Sequence, residues 1–204
     1  MYTALRATSK TLLEYLKQRF LDDADLAPFF GNTGNMHVSL NTPEEMSDRG
    51  TEGLSVWLYR VVRDEERVNA PYERLNGNQL QRNPLPLRLH YLITPVLNTT
   101  DAAPETAQAI LGKVLQAFYE HPTFRGSELL DGLTRTQSEL TVRLESLSLD
   151  DITKVYDALT RSYQLSISYE VTVIYIYVSS EPESVTPVQV VMPDTGVIVS
   201  EAGS

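Results

Sequence analysis

The 204-residue chain contains no cysteine, which excludes disulfide bonds, thiolate metal ligands and a cysteine nucleophile. Basic residues are also scarce, since 17 Lys and Arg stand against 27 Asp and Glu and leave a formal net charge of -10. That balance repels a phosphate backbone, so the composition predicts no nucleic-acid partner. No run approaches the roughly 20 apolar residues of a spanning helix, which predicts no membrane partner. Residues 1–20 show no secretory signal, and we expect a soluble protein made in the cytoplasm.

Enzyme motifs are missing as well. No phosphate-binding loop, dinucleotide glycine fingerprint, G-x-S-x-G elbow or H-E-x-x-H sequence occurs. The histidines His37, His90 and His121 lie far apart in the chain, so a metal site would have to unite two of them with a carboxylate. We predict instead that His90 lies at a strand surface and that His121 caps helix carbonyls. The sequence therefore predicts no enzyme, no metal site and no cofactor.

Acidic clusters have simple structural interpretations. Residues 64–66 (Asp-Glu-Glu) are flanked by arginines, which favours a solvated salt-bridge patch over catalytic carboxylates. Residues 22–25 lack the ligand spacing and the glycine of a calcium loop, so we interpret them as a helix terminus. One alternative from another class stays open: Arg88, His90 and Tyr91 would form the polar site of an enzyme or small-ligand binder.

Apolar periodicity predicts an α+β domain, with a mixed or antiparallel sheet and helices mainly on one face. The predicted elements are helix 3–21, strand 54–63, strand 85–96, helix 101–121, strand 139–145, helix 149–160 and strand 164–178. Between them we predict a long excursion at 22–53 with one short strand at 36–40, and a hairpin-like excursion at 64–84 that turns at 76–78. Because Gly112 costs a helix interior about 1 kcal/mol, we expect another backbone to approach it closely.

Two predicted strands are apolar on both faces. In the first strand Val56 and Leu58 alternate with Trp57 and Tyr59, and in the last strand the polar alternation is lost from Ile174 onward. Such faces must be covered, either by a helix of the same chain or by a neighbouring subunit. Aromatic side chains on strands can also stack on bases or sugars, but core packing is the better interpretation in so acidic a chain.

The last stretch differs from the rest, and we place a domain at 1–180 and a C-terminal arm at 181–204. Residues 179–204 contain no Lys or Arg, yet they carry more aliphatic residues than a merely disordered tail. They predict two short strands with no partner inside the domain, which suits strand addition to another protein. The predicted anchors of the arm are Val185, Val188, Val190 and Met192.

Four segments carry a resemblance to a known family. They are LRATSKTLLEYLKQRF (5–20), LSVWLYRVV (54–62), NPLPLRLHYLITPV (83–96) with ILGKVLQAFYEHPTF (110–124), and LSLDDITKVYDALTRSYQLSISYEVTVIYI (147–176). In this order they resemble the N-terminal domain, formerly of unknown function, of cap proteins from extracellular contractile injection systems of the antifeeding-prophage type. Within the third segment the family often shows Pro-Pro before a Leu-x-Leu-x-Tyr strand, where this chain has Asn83-Pro84-Leu85-Pro86. Some relatives continue into a second domain, whose contacts are not carried over.

The resemblance implies a phage tail-terminator-like fold and a six-fold ring at the end of the particle. Its partners would be further copies of the chain, as a homohexamer, together with the sheath protein and the inner tube protein. The ring would end polymerisation and hold the sheath extended, after assembly in the bacterial cytoplasm and as part of a released injection particle. The alternative within this class is another structural adaptor, at the neck or baseplate. We assign the ring and tube contacts to Trp57, Tyr59, Arg60, Arg88, Ile174 and Ile176.

Overall fold

The computed structural model describes residues 2–67, 85–98, 103–134, 136, 138–159 and 162–172, and the backbone alone of 73–76, 79–81, 173–176 and 183–184. The helices are α1 (Ala4–Leu21), α2 (Ala27–Phe30), α3 (Pro43–Asp48), α4 (Ala103–Glu120) and α5 (Leu149–Ala158). The strands are β1 (Met36–Ser39), β2 (Glu52–Arg63), β3 (Glu73–Asn76), β4 (Gln79–Gln81), β5 (Leu85–Val96), β6 (Thr123–Arg125), β7 (Glu139–Glu145), β8 (Ile167–Ile176) and β9 (Glu183–Ser184). None of the described helices is long and apolar enough to cross a lipid bilayer.

The segment 22–53 contains the predicted short strand, β1, but also two helices that were not predicted, α2 and α3. Helices of four and six residues are too short to show an apolar stripe, and the start of α3 is set instead by local capping. Thr42 Oγ1 accepts a hydrogen bond from the Glu45 N–H (3.1 Å), and the Glu45 carboxylate accepts one from the Thr42 N–H (3.1 Å). This reciprocal box, with Pro43 at the first helical position, starts α3.

The main sheet has six strands in the order β1-β2-β5-β8-β7-β6. β1 pairs with β2 in parallel and the other neighbours are antiparallel, which confirms the predicted mixed sheet. A second, three-stranded sheet has the order β3-β4-β9. Its β3–β4 hairpin, in which Asn76 opposes Gln79, confirms the predicted hairpin-like excursion.

The first face of the main sheet is apolar and is covered by α1 and α4. It buries the alternate side chains of β5, which point towards these helices. Two hydroxyls close the contact: Tyr91 OH lies 2.8 Å from Ser9 Oγ, and Tyr15 OH donates to the Ala117 carbonyl at 2.8 Å. Each large apolar side chain buried here contributes about 1.5–3 kcal/mol. The largest fully buried side chains of this face are Leu12, Leu16, Phe20, Leu54, Leu89, Tyr91, Ile93, Ile110 and Phe124.

The second face of the sheet is covered in part by the short helix α5. Tyr156 of this helix and Leu159, which directly follows it, pack against Leu92, and Trp57 and Tyr59 lie at the margin of the contact. Helix α5 starts as predicted, since Ser148 Oγ accepts a hydrogen bond from the Asp151 N–H at 3.2 Å. The prediction that both faces of β2 are covered is therefore met only in part: Leu54 and Val56 are buried in the core of the first face, whereas Trp57 and Tyr59 are only half-buried beside α5.

Candidate interaction surfaces

Polar side chains from four neighbouring strands meet on the second face. The Nδ1 atom of His90 lies 3.1 Å from both carboxylate oxygens of Glu145. Ser168 Oγ donates to Glu145 Oε2 at 2.7 Å, and Tyr59 OH donates to the same oxygen at 3.3 Å. We call Tyr59, His90, Glu145 and Ser168 the histidine cluster. His90 is only 5% exposed, so its predicted place at a strand surface was wrong.

Ionisation within the histidine cluster follows from its hydrogen bonds. Burial alone would raise the pKa of Glu145, but the hydrogen bonds from Ser168 and His90 outweigh it and hold that pKa below its usual value. Burial raises the pKa of Tyr59, and the nearby Glu145 charge adds to this effect. Glu145 is therefore an anionic acceptor and Tyr59 a neutral donor near neutral pH, which suits a cluster that orients side chains across strands.

A second polar group lies where β2 ends beside the start of β5. Arg88 Nη2 donates to Asp64 Oδ1 at 2.9 Å and lies 3.3 Å from Glu66 Oε2, while Arg67 Nε lies 3.7 Å from Asp64 Oδ2. Asp64 is 1% exposed, so the predicted solvated patch was wrong at this residue. The reason is that the Asp64 N–H donates to the Pro86 carbonyl, which draws the chain against β5. The Asp64 hydrogen bond also raises the pKa of Arg88, so Arg88 stays cationic.

The structure does not assemble the alternative site of Arg88, His90 and Tyr91. Side chains alternate along a strand, so Tyr91 points to the first face, where it is fully buried, while Arg88 and His90 point to the second. His121 was predicted to cap helix carbonyls, but its Nε2 lies 2.8 Å from Glu128 Oε1 instead. Among the described residues, no group of three or more His, Asp or Glu side chains could hold a metal ion.

A groove of about 470 Å³ lies between β2 and α5, and we call it the second-face groove. Its lining includes Trp57, Tyr59 and Arg60 from β2 and Lys154 from α5. An irregularity in β2 aims these side chains: Leu58 pairs with Tyr91 but Arg60 pairs with His90, so Tyr59 is an extra residue in the strand. The structure thus unites three predicted contact residues along one surface.

The other predicted contact residues are not part of this groove. Arg88 lies on the second face but on the neighbouring strand, held by Asp64. Ile174 and Ile176 pair with Leu87 and Leu85 at the far end of β8, and their side chains lie outside the described residues. The predicted arm anchors Val185, Val188, Val190 and Met192 lie outside the described residues too.

A second groove, of about 580 Å³, lies between α4 and strands β7 and β8, and we call it the α4 groove. It is lined by Leu115, Gln116, Phe118, Tyr119, Pro122, Val142, Leu144 and Tyr169, none of which carries a charge at neutral pH. Tyr119 is 88% exposed and Leu144 is 55% exposed. This groove was not predicted from the sequence, although Leu115 and Tyr119 lie four residues apart on one helix face.

Gly112 lies one turn before Leu115, on the exposed side of α4. A Cβ atom at this position would meet no atom of the chain within 4 Å. The expected close approach of another backbone was therefore wrong for the described part of the chain. Gly112 leaves a flat, solvent-facing place beside the α4 groove.

Among the solved structures that share this fold, two are named as tube terminators, one of them from an extracellular contractile injection system. One is the PVC sheath/tube terminator in the extended state, with a TM-score of 0.54, 18% identity, and cover of 92% of this chain and 65% of that chain. The other is the anti-feeding prophage tube-terminating cap, with a TM-score of 0.57, 18% identity, and cover of 95% of this chain and 60% of that chain. This chain thus corresponds to less than two thirds of either solved protein, and the predicted tail-terminator-like fold is confirmed.

Residues 7–190 match the family described as the Pvc16 N-terminal domain. Because the match covers most of the chain, the protein belongs to that family. No curated protein matches the chain.

Proposed function

We propose that this protein is a structural cap of a contractile injection particle. In this role it forms a ring on the distal end of the inner tube and sheath, ends their polymerisation and stabilises the extended sheath. The observation that carries the proposal is the family match over residues 7–190, and the shared fold with two tube-terminating proteins supports it. Its partners are then other copies of the chain, the sheath protein and the tube protein.

The role is structural rather than catalytic. The histidine cluster contains a histidine and a carboxylate in contact, but His90 is buried beneath Tyr59, whose ring centre lies 6.1 Å away. Two surface grooves are lined mainly by apolar side chains, which suits a protein that binds other proteins. Assembly would take place in the bacterial cytoplasm, and the cap would leave the cell with the particle.

The second-face groove is the proposed contact with neighbouring copies or with the tube. Trp57 and Tyr59 offer half-buried aromatic rings 6.1 Å apart, and Arg60 beside them is exposed. Aromatic and arginine side chains are enriched where interfaces gain most of their free energy. A closed ring needs a heterologous interface, in which one groove meets a different surface of the next copy. Arg88 lies on the same face, but its charge is already paired with Asp64 and Glu66.

Deletion of the gene in a producing strain tests the cap role. Negative-stain electron microscopy of purified particles should show overlong, ragged or spontaneously contracted tubes and sheaths, since nothing would end polymerisation. Particles of normal, uniform length that stay extended would contradict the role and favour an adaptor at the neck or baseplate. Return of the wild-type gene should restore uniform length.

Complementation with charge-reversed variants tests the second-face groove. Arg60→Glu should fail to restore uniform particles, because it places an anion in the proposed contact. Arg49→Glu is the matched control, since Arg49 is also exposed but ends α3, away from the groove. Both variants should have the same free energy of unfolding as the wild type. Full rescue by Arg60→Glu would remove this groove from the interface.

A further inference from the structure

The edge of the main sheet is left open along the second half of β7. Strand β6 pairs with β7 only as far as Thr141, and the next contact is the Val142 N–H, which donates to the Pro122 carbonyl at 2.7 Å. Main-chain groups alternate sides along a strand, so the N–H and C=O of Leu144 point the same way as those of Val142, away from β8. Among the residues that the structure describes, no strand pairs with this part of β7 on that side.

The open edge borders the α4 groove. Leu144 lies on β7 itself and lines the groove, where Pro122, Leu115 and Tyr119 face it. An added strand would therefore gain main-chain hydrogen bonds from Leu144 and would bury alternate side chains in the groove. This combination is how proteins recognise extended segments by strand addition. The uncharged lining selects a segment without charges, since a buried unpaired charge is costly.

The chain itself contains a segment with these properties. Residues 185–192 (VTPVQVVM) carry no charge, although the chain as a whole has a net charge of -10. Val188, Val190 and Met192 alternate with other residues, which places them on one face of an extended strand. Pro187 and Pro193 flank residues 188–192, and five residues is a common strand length. Proline ends the pairing of a strand because it has no N–H to donate.

A neighbouring copy is the better donor of this segment than the same chain. Ser184 pairs with Gln79 in the small sheet. The β3–β4 hairpin of that sheet lies in the chain between Arg63, where β2 ends, and Leu85, where β5 begins. Leu144 instead opposes Tyr169, which lies seven residues before the end of β8. At ~3.3 Å per residue, Leu144 is therefore about 23 Å along the sheet from the end of β8 that pairs with Leu85. From Ser184, fully extended chain reaches only about 20 Å by residue 190. Most of residues 188–192 would therefore not reach the α4 groove of the same chain.

We propose that the α4 groove and the open edge of β7 accept residues 188–192 of a neighbouring copy as an added strand. The arm then links each copy to the next. This inference rests on the proposed ring, because the ring is what brings a second copy close enough. Its chemistry is specific: main-chain hydrogen bonds at Leu144, and three uncharged side chains in an uncharged groove.

Single-cysteine variants test the proposal in a chain that has no cysteine of its own. Leu144→Cys is paired with Val188→Cys, Val190→Cys or Met192→Cys. For purified chains one thiol of each pair is activated before mixing, so that mixed disulfides form, whereas particles that contain both variants are treated with a mild oxidant. The test uses the chain purified alone and particles purified from a strain that produces both variants. Non-reducing gels should show a linked dimer for at least one of the three pairs. The yield should exceed that of Leu144→Cys with Gln189→Cys several-fold, because residue 189 faces away from the groove.

Tyr2→Cys is the collision control, since Tyr2 is highly exposed and does not line the groove. If the arm variants form as much linked dimer with Tyr2→Cys as with Leu144→Cys, the proposal is overturned. The absence of any interchain link from both preparations would also overturn it, as would a double variant that forms only an intrachain link, which would place the arm on its own chain. Failure of the proposed ring role would show in a different experiment, because particles of the deletion strain would then have normal length.

Discussion

The two faces of the main sheet are shielded from solvent in different ways. Among the side chains that the structure describes, those buried in the first face are apolar except for hydroxyls that find partners, as Tyr91 does at Ser9. The second face keeps a short helix over one part and fills another part with His90, Glu145 and their partners. The first face therefore accounts for most of the hydrophobic stabilisation, while the second holds polar groups that fix the alignment of four strands.

Removal of a large side chain from the first face should have the greatest effect. Phe20 is fully buried and its ring centre lies 4.5 Å from that of Phe30. We expect Phe20→Ala to lower the free energy of unfolding by about 3–5 kcal/mol, measured by urea denaturation, because it leaves a cavity. Phe29→Ala is the control, since Phe29 is 41% exposed and its truncation should cost less than about 1 kcal/mol. Equal losses would erase the distinction between core and surface here.

On the second face the largest loss should come from Arg88. Arg88→Met removes the closest cation from the buried Asp64 carboxylate and leaves it with the Glu66 N–H and with Arg67, which is more distant and more exposed. We expect a loss of about 2 kcal/mol, less than for a fully buried pair because Arg88 is partly exposed. The double variant Arg88→Met/Asp64→Asn should lose less than the two single variants together. Additive losses would show that the pair does not act as a unit.

A substitution outside both faces should raise stability. Gly112→Ala should add about 1 kcal/mol to the free energy of unfolding, because alanine favours a helix and its Cβ would meet nothing. Gly126→Ala is the matched control: its Cβ also meets nothing, but its φ of +62° lies in the left-handed region. That variant should lose about 1–2 kcal/mol instead. A loss at Gly112 would indicate a contact on the outer side of α4.

The smallest effect should be a change in pH dependence at Glu145. Its pKa is lowered on folding, so its contribution to stability is complete above the ordinary carboxyl pKa and is lost as pH falls through the lowered value. Glu145→Gln should therefore give a shallower fall in the free energy of unfolding between pH 5 and pH 3. Urea denaturation at several pH values measures this slope. Parallel pH profiles for the variant and the wild type would contradict the assignment.

Long elements were predictable from the sequence because each shows its own period. The bounds of β5 and β7 were predicted correctly, since Pro84 precedes the first and strict alternation runs through the second. Helices α2 and α3 were missed because four or six residues contain too few turns for a stripe. The Thr42-Pro43-x-Glu45 sequence was nevertheless a usable signal for the start of α3.

The surfaces were less predictable than the elements. The histidine cluster joins residues 59, 90, 145 and 168, which meet only because three strand registers align them. Register depends on the assembled sheet, so no local pattern reveals it. Trp57, Tyr59 and Arg60 were predicted as contact residues from their pattern and do share one groove, but their role in assembly stays a prediction.

The Ser9–Tyr91 contact joins residues 82 positions apart, and this has a consequence for biosynthesis. A ribosome adds about 5–20 residues per second, so roughly 4–16 s pass between the synthesis of Ser9 in α1 and that of Tyr91 in the strand that α1 covers. During that time the side chains of Leu12, Leu16 and Phe20 lack their final partners. Pairing between such distant segments also slows folding. The nascent chain is thus most vulnerable to aggregation early in translation, when its first helix is complete and its central strand is still being made.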